Sequence, residues 1–208
     1  MRKWKPVMKI IHVNRSTFCS VVILSAALLS GACEMQMNSQ NLPKITFAHL
    51  QPFKVDVASV EVVNRFTPSM KAPHIEHQLP ISPAAALAQW GKDRLKAVGK
   101  TGKLRLLIED ARATETVLGK DKSLKGHFTK QQSHRYDLAL RATVYLTDAG
   151  GIERGTASAS AFRSATVRED ISLDERERTW FDLVDRLMKE FNRQMDVNLE
   201  RYLSGWLR

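Results

Sequence analysis

The sequence contains little cysteine. Its only two cysteines, Cys19 and Cys33, both lie near its beginning. A domain formed by residues 44–208 therefore has no disulfide bond to stabilise it and no thiol to act as a nucleophile. It must depend on its hydrophobic core, and a domain of this size can bury roughly 70% of the surface that its unfolded chain exposes.

The sequence also lacks an apolar run long enough to cross a bilayer. The longest such run, residues 18–29, is shorter than the ~20 residues that a transmembrane helix needs. No later run is long or apolar enough to be a span.

The motifs of the common catalytic sites are missing as well. There is no G-x-S-x-G, no phosphate-binding glycine loop, no H-E-x-x-H and no C-x-x-C. His74 and His77 flank Glu76, but they lie in a proline-bounded loop rather than on a helix that would direct both imidazoles to one metal ion. Glu109 and Asp110 are neighbours on a predicted strand and so point to opposite faces. The sequence therefore predicts no enzyme, no metal site and no cofactor.

What the beginning of the sequence does contain is a targeting signal. Five basic residues and no acid occur in residues 1–17, and the apolar run 18–29 follows. The sequence LLSGAC at residues 28–33 then places small residues before Cys33. This order is that of a secretory signal peptide, and it resembles the lipobox of bacterial lipoproteins. A core helix or an uncleaved anchor would explain the apolar run less well, because neither needs basic residues before it. Translation could begin at Met1 or at Met8.

The lipobox resemblance implies a lipid anchor. In that family the cysteine, here Cys33, receives a diacylglyceryl group and a further acyl chain such as palmitate, after residues 1–32 are removed. The chain would then face the periplasm from a membrane of the bacterial cell envelope. Glu34 follows the cysteine, where aspartate marks inner-membrane retention in enteric bacteria, so the outer membrane is favoured. Residues 33–43 are mostly polar and show no hydrophobic periodicity, so they are predicted to form a flexible tether. Because the leader holds five of the 32 basic residues, the net charge falls from +10 to +5.

The first half of residues 44–208 predicts one helix among strands. Residues 45–66 alternate in hydrophobicity and change phase near Ala58, which indicates a bend or a bulge. A proline-rich loop spans residues 67–80. Ser82 and Pro83 form a helix start, and apolar residues at helical spacing predict a helix that ends at Gly99. Gly91 within it indicates close approach to a strand. Residues 103–118 form the next strand candidate.

The second half predicts a hairpin followed by a long helix. Residues 136–146 alternate strictly, residues 148–151 form a turn, and residues 152–167 return as a strand with alanines on one face. Ser172 and Glu175 form a capping box. A stripe of apolar residues at a 3.6-residue period predicts a helix over 173–203. The order of elements favours an α+β fold: a mainly antiparallel sheet of about four strands, with both helices on one face.

This order of elements, after a lipobox, resembles the auxiliary lipoproteins of ABC-type lipid transporters. The resemblance implies a non-enzymatic component of the envelope that contacts a protein partner or a lipid. The alternative is a periplasmic binding module for a small apolar or anionic lipid ligand, with a pocket lined by Trp90, Phe162 and Trp180. These three aromatic residues could instead simply fill the core.

Two surfaces are candidates for contact with partners. Four lysines in a loop with interleaved apolar residues suit an anionic membrane surface: Lys120, Lys122, Lys125 and Lys130. A long closing helix would overhang the sheet, so its last residues are expected to be exposed and to dock a partner: Tyr202, Leu203 and Trp206. Export excludes nucleic acid as a partner.

Overall fold

The computed structural model describes residues 42–119 and 131–208. Cys33 and the four loop lysines lie outside these ranges, so the roles inferred for them from the sequence remain predictions. Within these ranges no helix has the length and hydrophobicity needed to cross a membrane.

The described residues form two helices and seven strands, followed by a short 3-10 turn at Ser204–Trp206. In chain order they are β1 Phe53–Val55, β2 Ser59–Asn64, α1 Pro83–Arg94, β3 Leu95–Ala97, β4 Lys103–Asp110, β5 Ala113–Val117, β6 Gln132–Thr147, β7 Glu153–Arg168 and α2 Leu173–Leu203.

The main sheet is built around β6. β7 pairs antiparallel along one side of β6, while β4 and β5 follow one another along its other side, also antiparallel. β2 lies beside β4 and runs parallel to it. The predicted α+β fold with a mainly antiparallel sheet is confirmed. The predicted count of about four strands is too low, because five strands form this sheet and β1 and β3 form a second, parallel pair.

The core lies between the main sheet and the two helices. α1 packs mainly on β2, β3 and β4, and α2 packs mainly on β7 and β6. The helices meet where the rings of Trp90 and Phe191 cross edge to face, with centroids 5.4 Å apart. α1 also contacts β3, a strand of the second sheet, and the sequence did not predict this sheet.

α1 begins as predicted but ends earlier. The Ser82 Oγ accepts a hydrogen bond from the Ala85 N–H at 3.2 Å, and Pro83 is the first helical residue. A Cβ on Gly91 would lie 2.7 Å from a methyl group of Leu106 on β4, which confirms close approach to a strand. The expected continuation to Gly99 is wrong. From Leu95 the chain becomes β3, because its backbone pairs with β1 instead of continuing the helix.

α2 is capped as predicted and packs on the alanine face of β7. The Ser172 Oγ accepts from the Glu175 N–H at 3.2 Å, and the Glu175 carboxylate accepts from the Ser172 N–H at 3.0 Å. The alanines of β7 that face the helix are all buried: Ala157, Ala159 and Ala161.

The predicted overhang of α2 does not occur. The helix has 31 residues, about 46 Å, whereas β6 and β7 have 16 residues each, about 54 Å. The sheet is therefore at least as long as the helix. The buried residues of α2 begin at Trp180 and continue to its C-terminal end, where Leu203 is fully buried against Gly155. Beyond it the chain joins β1 through two backbone hydrogen bonds of 2.8 Å, from the Asp56 N–H to the Trp206 carbonyl and from the Arg208 N–H to the Lys54 carbonyl.

Candidate ligand-binding groove

The segment of residues 42–50 lies across the two helices and is fixed by α1. Ile45 and Phe47 are buried in the core. The Asp93 carboxylate of α1 accepts hydrogen bonds from the Phe47 N–H at 2.8 Å and from the Thr46 hydroxyl at 3.0 Å. Gln89, one turn earlier, donates to the other oxygen of Asp93 at 2.8 Å. The partly buried carboxylate of Asp93 therefore fixes the position of the segment, and open space remains on both sides of the segment.

Two clefts open on either side of this segment and together form what we call the tether groove. One has a volume of about 670 Å³ and is lined by apolar residues that include Leu42, Ile81 and Ala85. The other, of about 420 Å³, extends to Leu50. Phe181 of α2 lines both clefts. Volumes of this size are typical of small-molecule sites.

The rim of the tether groove carries basic side chains. Lys44 and His49 are exposed beside the smaller cleft, and Lys189 reaches it from α2. The Lys189 ammonium pairs with Asp185 at 2.7 Å, but its side chain is 73% exposed and remains accessible. An apolar floor with two lysines at its rim, Lys44 and Lys189, suits a ligand with a hydrocarbon chain and an anionic head.

A second polar cluster surrounds Arg94, and its members form hydrogen bonds and an ion pair with one another. Arg94 of α1 is almost fully buried, and its guanidinium pairs with Asp196 of α2 at 2.6 Å. The Asn192 amide oxygen accepts from the Trp90 indole at 2.7 Å and from Arg94 at 3.2 Å. The Phe53 ring stacks 4.8 Å from the guanidinium carbon. Because a buried charge without partners is costly, this network stabilises the contact between helices.

The aromatic pocket expected from the sequence is not formed. Trp90 is fully buried, and Trp180 is buried against the Tyr136 ring at a centroid distance of 5.5 Å. Phe162 points to the other face of the sheet and is 53% exposed. Since alternate residues of a strand face opposite sides, Phe162 could not join the other two.

His74 in the proline-bounded loop and His134 on β6 have structural partners. The buried Glu76 carboxylate accepts from the Ala113 N–H at 2.9 Å and lies 3.0 Å from the His74 Nδ1. His134 contacts the Ser133 hydroxyl at 2.7 Å. Among residues 42–119 and 131–208, no three acidic, histidine or cysteine side chains converge as a metal site requires.

The predicted docking surface at the end of α2 is smaller than expected. Tyr202 is 57% exposed and Trp206 is half-buried, but Leu203 is buried. Leu203 must therefore be removed from that surface, because it fills the space above Gly155. The sequence did not point to the tether groove. A usable signal was Phe181, a large aromatic residue outside the apolar stripe of α2.

The sequence matches no protein-family model and no curated protein. Three solved structures show limited similarity. The minor lipoprotein from Acinetobacter baumannii is 15% identical, with 69% of this chain and 94% of that chain covered and a TM-score of 0.34. The PelC dodecamer from Paraburkholderia phytofirmans is 14% identical, with 68% and 91% covered and a TM-score of 0.22. Rare lipoprotein B from Shewanella oneidensis is 14% identical, with 68% and 98% covered and a TM-score of 0.27. These values are too low to transfer a fold or a function to this chain.

Proposed function

We propose that the chain is a lipid-anchored protein of the bacterial cell envelope and acts, without catalysis, as an auxiliary component of an ABC-type transport system. The residues LLSGAC after a basic and apolar leader support the anchor at Cys33. Glu34 favours the outer membrane, with the domain facing the periplasm. The four lysines of the loop, Lys120, Lys122, Lys125 and Lys130, remain proposed contacts to anionic lipid.

The observation that carries this proposal is the position of the tether groove. Leu42, which lines it, lies nine residues after Cys33, and nine extended residues reach at most about 30 Å. A lipid attached to Cys33 would hold the groove within that distance of the membrane surface. An apolar groove so close to a membrane is suited to a hydrophobic substrate that moves between the bilayer and a transporter.

The proposed transport role is tested by co-purification. The protein is extracted from its native membranes in a mild detergent and its associated proteins are identified. The role predicts that the membrane-embedded subunit of an ABC-type transporter is recovered in a fixed ratio to this chain. Recovery of the protein alone, from membranes in which it is fully assembled, would contradict an auxiliary role.

The same groove favours a second function, a binding module for an anionic lipid. Phe181 lies in its centre, while Lys44 and His49 lie at its rim. The hydrocarbon chain of a phospholipid would pack on Phe181, and its phosphate would face the basic rim.

Extraction of non-covalently bound lipid tests this second function. Phospholipid recovered per protein should fall several-fold in Phe181→Asp, because a carboxylate in the floor opposes burial of a hydrocarbon chain. Phe162→Asp is the matched control, since Phe162 is an exposed phenylalanine on the other face of the sheet. Equal lipid content in the wild type and both variants would exclude the groove as the binding site.

A further inference from the structure

The outer edge of β7 is open. Within the described residues β6 is the only strand that pairs with β7, and it does so along one side of 15 of its 16 residues. A strand paired on one side leaves alternate backbone N–H and C=O groups on its other side without ladder partners. β7 therefore presents a long row of hydrogen-bonding groups away from the sheet.

Two side chains show which residues point outward. The Asn198 amide of α2 donates to the Ser158 carbonyl at 2.7 Å, and the Arg163 guanidinium donates to the Phe162 carbonyl at 2.8 Å. These two carbonyls point away from β6. The backbone N–H and C=O groups of the even-numbered residues of β7 therefore face the open edge of the sheet. Because N–H and C=O of one residue point to the same side in an antiparallel strand, the Ser158 and Ser160 N–H groups also point outward.

The middle of this edge lacks the usual protection against strand pairing. Natural edges are blocked by lysine, proline, inward charges or bulges. Residues 155–162 of β7 contain no proline and no charged residue, and most of their side chains are small. The register with β6 is also regular across this stretch. Among residues 42–119 and 131–208, two side-chain hydrogen bonds, to the Ser158 and Phe162 carbonyls, protect this stretch of the edge.

Clefts flank the open edge on both sides of Ser160. Their volumes are about 320 and 360 Å³, and both are lined by Arg141 of β6 and Gln194 of α2. Arg141 is exposed, and no ion-pair partner is found for it in residues 42–119 and 131–208. The acids that line the first cleft are already paired: Glu190 with Arg163 at 3.2 Å and Arg193 at 2.5 Å, and Asp110, the cross-strand neighbour of Arg141, with Arg112 at 2.8 Å. An acidic side chain that enters the cleft would therefore meet an unpaired cation.

We propose that the outer edge of β7 binds an extended segment of another polypeptide, which adds as a strand beside residues 156–162 and places an acidic side chain against Arg141. Backbone hydrogen bonds supply the contact, and the clefts accept alternate side chains, as in other cases of strand addition. The proposal does not depend on the tether groove.

A second copy of this chain fits the same edge poorly. α2 packs chiefly on β7, so antiparallel pairing of two β7 edges would place two copies of α2 over adjacent strands on the same face. Adjacent strands lie about 4.8 Å apart, whereas packed helices need about 8–10 Å between their axes. A lone extended segment carries no such helix and meets no such obstacle.

The test uses the purified full-length protein in mild detergent, with amide exchange measured by NMR. The probe is a synthetic eight-residue peptide of alternating valine and threonine in which two residues are replaced by glutamate. In the free protein we expect the Ser158 and Ser160 amides to exchange fast. The peptide should slow their exchange. The same peptide with methylated backbone nitrogens along one edge should not, because it cannot form the ladder.

Three variants sharpen the result. Arg141→Glu should reverse the preference, so that a lysine peptide binds better than the glutamate peptide. Asn198→Ala should bind the probe more tightly, because it removes a competing donor from the Ser158 carbonyl. Arg65→Glu, beyond the opposite edge strand β2, is the charge-matched control and should bind like the wild type.

Four outcomes would overturn the proposal. They are slow exchange of the Ser158 and Ser160 amides in the free protein, an equal response to the methylated peptide, no response to the unmodified peptide, and a concentration-dependent dimer that protects these amides without any peptide.

Discussion

Single residues decide how closely the helices approach the sheet. Gly91 and Gly155 both face a neighbouring element at a distance where a Cβ would collide: Gly91 with Leu106 and Val62, and Gly155 with Leu203. In α1 this close packing requires a residue of low helix propensity, since glycine lowers helix stability by about 1 kcal/mol relative to alanine. The packing gained must offset that cost.

Gly91→Ala tests which effect dominates. The added methyl group would lie 2.7 Å from Leu106 and 2.9 Å from Val62, and overpacking of this kind costs about 1–3 kcal/mol. We expect a net loss of stability of about 1 kcal/mol once the propensity gain is subtracted. Urea unfolding measures it. Ala88→Gly, about one turn earlier on the same helix, is a control that combines the loss of helix propensity with the loss of one partly buried methyl group. A more stable Gly91→Ala would show that the contact is loose.

Tyr136 makes stability depend on alkaline pH. Burial, with a smaller contribution from the Glu115 carboxylate, raises the pKa of Tyr136 to about 12. In the unfolded chain tyrosine ionises near 10, so the unfolded state loses its proton first. This contribution to stability is complete below pH 10 and is lost as the pH rises from 10 through 12.

Tyr136→Phe should remove that alkaline dependence. The Tyr136 hydroxyl is buried and has no hydrogen-bond partner among residues 42–119 and 131–208, so phenylalanine should fold as well as tyrosine at pH 7. Between pH 10 and 12 the wild type should lose more unfolding free energy than the variant, as measured by urea titration at each pH. Parallel loss in both proteins would mean that Tyr136 is accessible to solvent.

At the residue scale, the sequence predicted contacts within one element better than contacts between elements. The caps at Ser82 and Ser172 involve residues three apart, and both are confirmed. The Arg94 network joins residues about a hundred positions apart. The sequence indicates this network only through spacing. Trp90 and Arg94 are four residues apart, as are Asn192 and Asp196, so each pair lies on one face of its helix.

At the scale of elements, hydrophobic spacing could not locate the end of α1. Leu95 and Val98 continue the helical period, yet Leu95–Ala97 is a strand. Its pairing with β1 is a contact between distant parts of the chain, and such contacts override local preference. The phase change near Ala58 predicts a bend or a bulge, and a bend is present at residues 56–58, where the chain passes from the second sheet to the main one.

The end of α2 offers a direct test at this scale. Residues 204–208 are bound to β1 by two backbone hydrogen bonds, each worth about 0.5–1.5 kcal/mol, and by partly buried Trp206 and Leu207. Deleting these residues should reduce stability by at least about 2 kcal/mol. Thermal and urea unfolding measure the loss. Tyr202→Ala, at an exposed site, should leave stability unchanged. If the deletion variant were as stable as the wild type, the end of α2 would overhang freely, as the sequence predicted.

At the scale of the whole molecule, alternation and periodicity were sufficient for the fold class. The strand at 136–146, the alanine-faced strand after it and the long closing helix were all predicted, because each is a long element with one buried face. Strand order and the second sheet were not, since residue patterns do not specify which strands are neighbours. The tether groove was missed for the same reason: it is formed where residues 42–50 cross two helices.

The groove and the anchor are linked through chain connectivity. The segment that lines the groove follows the predicted tether, so anchoring at Cys33 determines how far the groove can lie from a membrane. If Cys33 carried no lipid, the groove would have no fixed relation to a bilayer. The proposed function therefore depends first on the chemistry of Cys33.

Mass spectrometry of the amino-terminal peptide of the mature protein tests this most directly. We predict that the peptide begins at Cys33 and carries a diacylglyceryl group and an amide-linked acyl chain, and that Cys33→Ser abolishes both lipid and cleavage. An unmodified amino terminus at another residue, or a leader retained in the wild type, would contradict the proposed function.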